Sequence, residues 1–277
     1  MFPEHFPDTR AIYTLGMHYL DHFGYLLLLG FFFQHVTTQD TMTKNSEGYD
    51  CSHIWEIRKN QSYNGIYTIK PLGANISFQV FCEMKHDGGW TLIQSNDGQD
   101  GLNFDRTWDE YKLGFGNISG EHWLGLENIH KLTNQDRRTT ELLILIEGFD
   151  GTKAFTLYNF FTIGTENKNY QLSIGNGTGN AGDAFRNGDS DQNGSFFSTS
   201  DRDNDNCSPC KTGDTRYMSC SRNRFHSGWW FNRCGNANLN GKWHPQEKNL
   251  NWASSVYWGT FKASESLKYS KMYIRNY

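Results

Sequence analysis

Residues 196–241 read FFSTSDRDNDNCSPCKTGDTRYMSCSRNRFHSGWWFNRCGNANLNG. Three aspartates alternate (Asp201, Asp203, Asp205), four of the chain's six cysteines follow, and Trp229 and Trp230 stand side by side. Alternating acids with small polar residues between them gather hard oxygens on a turning backbone, which suits calcium. An EF-hand loop does not fit. Counting from Asp201, its obligatory Gly and Glu fall on Asn206 and Thr212; counting from Asp203, on Ser208 and Asp214. The stretch is therefore either another kind of calcium loop or a solvated acidic turn. Cys207 and Cys210, next to the acids, favour a loop that cannot relax away from an ion.

Outward from this stretch, the composition excludes several classes. The chain has 277 residues, a net charge of −4, 28 glycines and 16% aromatic residues. No basic run suggests nucleic acid or an anionic membrane as partner. Many rings and few long apolar runs imply a loop-rich domain with an aromatic core. Neither a Gly-x-Ser-x-Gly elbow nor a His-Glu-x-x-His pair is present, and the ten histidines are scattered, so the chain reads as a non-enzyme.

The one continuous apolar run, YLLLLGFFF at 25–33, is far shorter than the about 20 residues of a membrane helix. It matches the apolar region of a secretory signal, although its flanks fit poorly unless translation starts at Met17. An uncleaved anchor and a buried element remain alternatives. We assign 1–36 as this leader, 37–50 as a polar linker and 51–277 as the globular domain. An even cysteine count and five sequons, at Asn60, Asn75, Asn117, Asn176 and Asn193, point to a secreted glycoprotein.

The motifs FSTxDxDND, GWWFNRC and NxNLNG resemble the C-terminal domain of fibrinogens, ficolins, angiopoietins and angiopoietin-like proteins. Agreement continues in order through FQVFCEM (78–84), GGWTLIQ (88–94), WDEYKLGFG (108–116), GEHWLGLENIHKLT (120–133) and GNAGDAF (179–185). The cysteine insertion before GWW is most similar to the angiopoietin-like branch. The resemblance implies an α+β fold: a mainly antiparallel sheet, short helices and a loop-rich, calcium-binding C-terminal subdomain. It implies structural Ca2+ held by the carboxylates of Asp203 and Asp205 and the carbonyls of Cys207 and Pro209, with Asp201 outside the shell. It also implies the bridges Cys207–Cys210 and Cys220–Cys234, with Cys51–Cys82 closing a third loop. A zinc site on the last four cysteines fits their spacing less well.

Relatives place a ligand pocket beside the calcium, after a cis peptide that would fall here at Arg233–Cys234. Arg233, Cys234, Gly235, Trp243 and Tyr257 are its expected residues. Acetyl-binding relatives carry His where this chain has Gly235. The resemblance thus favours a cell-surface receptor or extracellular matrix protein as partner, in the angiopoietin-like manner. The alternative is a calcium-dependent lectin for acetylated sugars. No coiled coil or collagen stalk precedes the domain, so the oligomeric state is open.

Local patterns supply the elements. Alternation predicts strands at 65–70, 77–82, 90–94, 153–158 and 170–174, and a buried strand at 141–147. Ring and aliphatic spacing predicts helices at 108–115 and 122–132, a loop at 176–190, and closing strands at 256–261 and the C-terminus.

Overall fold

A computed structural model describes residues 47–212, 214–244, 255–262 and 265–277. Residues 1–36, read from the sequence as a leader, and most of 37–50, read as a linker, lie outside the described residues.

Strands β1 (Gly65–Ile69), β2 (Phe78–Lys85) and β3 (Gly88–Asn96) form a meander, as the alternation predicts. Next come helix α2, which follows α1 (Cys51–Arg58) in chain order and spans Trp108–Leu113, and the short strands β4 (Phe115–Gly116) and β5 (His122–Trp123). Helix α3 (Leu126–Thr133) leads into β6 (Thr140–Glu147) and β7 (Lys153–Tyr158). The short pairs follow: β8 (Phe161–Ile163) with β9 (Leu172–Ile174), then β10 (Gly177–Thr178) against β7. Hairpin β11 (Cys210–Thr212) and β12 (Thr215–Tyr217) and the pair β13 (Ala237–Asn238) and β14 (Tyr257–Trp258) belong to the loop-rich part. The C-terminal strand β15 (Tyr269–Asn276) lies between β3 and β6, giving the main sheet the order β1-β2-β3-β15-β6-β7-β10. All its named pairings are antiparallel. The fold is thus α+β, with a mainly antiparallel sheet and short helices.

Two sequence expectations change, and one helix is new. The 122–132 helix starts only at Leu126, because Gly125 adopts φ +99 and ends the regular chain; His122 and Trp123 instead pair with Ser95 and Gln94. Residues 256–261 contribute only β14, which joins β13 rather than the main sheet. Helix α1 lacks a strong apolar period and gave no sequence signal. It forms because Asp50 caps it, accepting from His53 N at 2.8 Å, and because Cys51 is bonded to Cys82 of β2.

Asp50 also closes the domain. Its fully buried carboxylate accepts from Gln135 Nε2 (2.8 Å) and Asn276 Nδ2 (3.0 Å), with Arg138 Nε at 3.6 Å. One side chain therefore ties the first helix, the α3–β6 connection and the last strand. Asp50→Ala is expected to lower unfolding free energy by about 3 kcal/mol, because it strands buried donors as well as removing a cap. Denaturant titration checks this; a loss below about 1 kcal/mol would contradict it.

Candidate functional site: the acidic loop, the cysteine knot and the tryptophan pair

The acidic loop is held by its roots. Ser198 and Trp229 exchange backbone hydrogen bonds, N to O at 3.0 and 3.1 Å, although far apart in sequence. Their neighbours are buried rings. Phe197 meets Trp230 edge-on at 5.1 Å, and Trp229 stacks on Phe185 at 5.5 Å. The buried indole of Trp230 donates to Tyr170 O at 2.8 Å. Such pairs contribute beyond the area they bury, and the satisfied indole fixes its orientation. Trp108, Tyr111 and Trp123 join the same aromatic core.

Beyond Ser198 the chain turns tightly. Thr199 and Arg202 exchange backbone bonds, Asn204 N donates to Ser198 Oγ (3.0 Å), and Asn204 Nδ2 donates to Phe197 O (2.8 Å). This turn sorts the three acids. Asp201 points back and accepts from Trp108 N (2.9 Å), the first residue of α2, and from Thr199 Oγ1 (2.7 Å). Its role here is to satisfy an orphan helix donor. Asp203 and Asp205 lie together, with Asp205 N donating to Asp203 Oδ1 at 3.3 Å.

Asp205 is suspended from the cysteine knot. Oδ1 accepts from Cys207 N (2.8 Å) and Oδ2 from Cys220 N (2.7 Å). Burial pushes its carboxyl up to about 6; those two donors oppose the shift and the Asp203 charge adds to it. Among the described residues no Lys, Arg or His pairs with Asp203 or Asp205, and the Cys207 and Pro209 carbonyls accept no hydrogen bond. Two neighbouring carboxylates without a protein cation, followed within four residues by two carbonyls that accept no hydrogen bond, are a donor set whose chemistry fits a hard divalent ion such as calcium.

The cysteines bond as Cys51–Cys82, Cys207–Cys210 and Cys220–Cys234, with no free thiol. The last four sulfurs all lie within 4.8 Å of one another. The two bridges thus form one knot under the loop.

The expected pocket is only partly gathered. Tyr257 Oη donates to the carbonyls of Cys234 (3.2 Å) and Gly235 (3.3 Å), beside exposed Arg233. The Arg233–Cys234 bond is trans, contrary to expectation; the cis bond among the described residues is Ser208–Pro209. Arg233, Cys234 and Gly235 make the turn instead, with φ of 48, 72 and 71. Trp243 packs against Gly98 and lines a cleft of about 530 Å³ with Asp105 and His226; its walls include neither Tyr257 nor Arg233–Gly235. Of the sequons, Asn75, Asn117, Asn176 and Asn193 are exposed. Asn193 Oδ1 accepts from Ile174 N, and Ser195 of its sequon is buried. The side chain of Asn60 is outside the description.

Sequence reasoning missed Gln192. Buried, it donates to Trp230 O (2.8 Å) and Ala237 O (3.3 Å), and a Cβ on Gly235 would lie 2.6 Å from its Cδ. A histidine there meets both a left-handed backbone and a fixed neighbour, so Gly235 is a requirement of this loop rather than a simple deletion. A lone Gln far upstream gives no signal of this in the sequence.

A sheet and an aromatic core together carry a disulfide-bridged polar loop, and His226 Nδ1 lies 3.8 Å from Asp105 Oδ2 in the cleft beside Trp243. The sequence matches the family described as fibrinogen beta and gamma chains, C-terminal globular domain, over residues 47–277. It is 40% identical to human angiopoietin-2 over 82% of this chain and 42% of that protein. It is also 40% identical to bovine fibroleukin over 82% of this chain and 50% of that one. The chain thus spans about half the length of these relatives. The fibrinogen-like globe domain of human ANGPTL2 superposes with a TM-score of 0.70 at 41% identity, covering 82% of this chain and 98% of that domain. Lamprey fibrin D-dimer, complexed with the peptide Gly-His-Arg-Pro-amide, gives 0.70 at 33% identity, covering 82% and 73%. The chain belongs to the fibrinogen C-terminal domain family, and like that family it is not an enzyme.

Two variants test this geometry. Asp201→Ala is expected to cost about 1–2 kcal/mol equally in calcium and in chelator, since its bonds are to Trp108 N and Thr199. Gly235→His is expected to lower the melting temperature by several degrees. Thermal melts check both. A calcium-dependent loss for Asp201→Ala, or a neutral Gly235→His, would contradict the assignments.

Proposed function

We propose that this chain is a secreted, calcium-stabilised recognition domain that binds a cell-surface receptor or extracellular matrix protein. The observation that carries it is the Asp203–Asp205 couple, without a cation among the described residues, whose Asp205 hangs from both bridges of the knot. Asp203, Asp205 and the carbonyls of Cys207 and Pro209 would hold the ion. Bound Ca2+ supplies positive charge that neutralises the two carboxylates and so stiffens the loop. The protein's own part is presentation: Asp205 fixes the amides of Cys207 and Cys220, and the turn Arg233–Gly235 sets the rim beside Tyr257. Disulfides and exposed sequons at Asn75, Asn117 and Asn176 support an extracellular, glycosylated setting.

The leading alternative is capture of acetylated sugars. The tight seat of Gly235 against Gln192 supports the protein-partner reading, because it leaves no room for the histidine that acetyl-binding relatives carry. Immobilised domain is expected to retain a defined set of cell-surface proteins, competed by soluble domain and not by free acetylated sugar. Release of the bound material by the sugar alone would overturn the protein-partner reading in favour of the lectin.

Calcium itself is tested on stability. At calcium one to ten times Kd the ion is worth about 0.4–1.5 kcal/mol. Asp203→Ala is expected to abolish the calcium-dependent rise in melting temperature while leaving the chelator melt within a degree or two. A parent whose melt ignores calcium at ten millimolar would sink the metal assignment; that figure is about tenfold above the weak end of extracellular sites.

A further inference from the structure

Residues 211–242 hold six Lys or Arg and one acid, Asp214, in a chain whose net charge is −4. The fold concentrates four of these cations around the knot. Lys211 follows Cys210, Arg222 lies two residues past Cys220, and Arg233 precedes Cys234, whose sulfurs share one cluster. In the β11–β12 hairpin Arg216 sits directly across from Lys211, on the face opposite to the Cys210–Tyr217 pair that packs inward. Lys211, Arg216, Arg222 and Arg233 are all exposed. Among the described residues none of them has a carboxylate partner.

Like charges directly opposed across two strands destabilise a hairpin unless an anion lies between or above them. This protein places such a pair on an exposed hairpin whose first residue, Cys210, belongs to the sulfur cluster, and Arg222 and Arg233 lie within two residues of Cys220 and Cys234 of that cluster. The rings nearby are turned inward: Phe225 and Tyr257 are buried, and Tyr217 lies under Arg224. Met218 is the large exposed apolar side chain of this region. Protein partners anchor on aromatic side chains, and among the described residues of 211–235 no Phe, Tyr or Trp is exposed. A surface of Lys and Arg forks with few apolar anchors suits a flexible polyanion, where charge density carries the binding.

We infer that the β11–β12 hairpin, with Arg222 and Arg233, docks a sulfated polysaccharide. The site goes beyond the receptor-binding reading and needs no calcium. It would hold the domain on sulfated matrix or cell-surface chains, and it meets the loop rim beside Tyr257 only at Arg233.

The probe is heparin, immobilised and also titrated in solution at physiological ionic strength. The parent is expected to be retained and to elute with added salt, equally in calcium and in chelator. Lys211→Ala, Arg216→Ala and Arg233→Ala should each weaken binding about fivefold, a typical factor for one cation against a polyanionic surface. The triple variant should flow through, while Lys70→Ala, an exposed cation on the far sheet edge, should elute with the parent. All four positions are exposed, so unchanged melts certify the variants' folds. Desulfated heparin and polyglutamate should bind at least tenfold more weakly than heparin. Passage of the parent through the column, or co-elution of the triple variant with it, would overturn the site. Equal binding to polyglutamate would overturn the polysaccharide in favour of an acidic protein segment. Release by chelator alone would show that retention runs through the acidic loop instead. Each of these outcomes is independent of whether a receptor is captured.

Discussion

The two backbone hydrogen bonds between Ser198 and Trp229 are the joint on which this domain's recognition end depends. Each is worth only about 1 kcal/mol net. Their leverage comes from position, since one lies at the root of the acidic turn and the other at the root of the Trp-Trp segment. Phe197 and Trp230 seal them from water on the core side. Once the roots are fixed, the turn has little freedom. Asn204 is drawn to Ser198 and Phe197, Asp201 reaches α2, and Asp205 arrives between the amides of Cys207 and Cys220. The bridges then lock what the rings have placed, and they limit the loop's escape in the unfolded chain as well.

This order of assembly explains the division of labour among three chemically identical acids. Asp201 is consumed by protein donors and serves the scaffold. Asp205 is held by the Cys207 and Cys220 amides but meets exposed Asp203 with no cation among the described residues, which is unfavourable for a half-buried carboxylate. The same loop carries the opposite problem a few residues later, where Lys211 faces Arg216. The near-neutral total charge conceals both. The frame of rings and bridges thus keeps like charges together in two neighbouring stretches of one loop region.

Much of the sheet was legible in the sequence. Alternation in GIYTIK and SFQVFC gave β1 and β2, and the unbroken apolar run in ELLILIE gave β6, since period and β-branching act locally. The helix at His122 was misread because aromatic spacing cannot distinguish a short strand from the first turn of a helix; the backbone of Gly125 decides that. Helix α1 was invisible, for it is stabilised by a cap, a bridge and Asp50 rather than by an apolar face. At the site, the acids and cysteines were plain as types. What they touch was not, because Asp205 with Cys220, Gln192 with Gly235, and Lys211 with Arg216 are relations of register and long-range packing. The trans Arg233–Cys234 bond likewise reflects three consecutive left-handed residues, which no residue pattern announces.

The central claim is that rings and bridges preform the acidic loop, and that an ion only tightens it. Amide hydrogen exchange of the intact domain, in chelator and in millimolar calcium, tests it most directly. The Ser198 and Trp229 amides should be protected to the level of the core strands in both conditions, with calcium adding protection only across residues 203–210. Exchange of the Ser198 and Trp229 amides in chelator as fast as exposed loop amides would contradict the account.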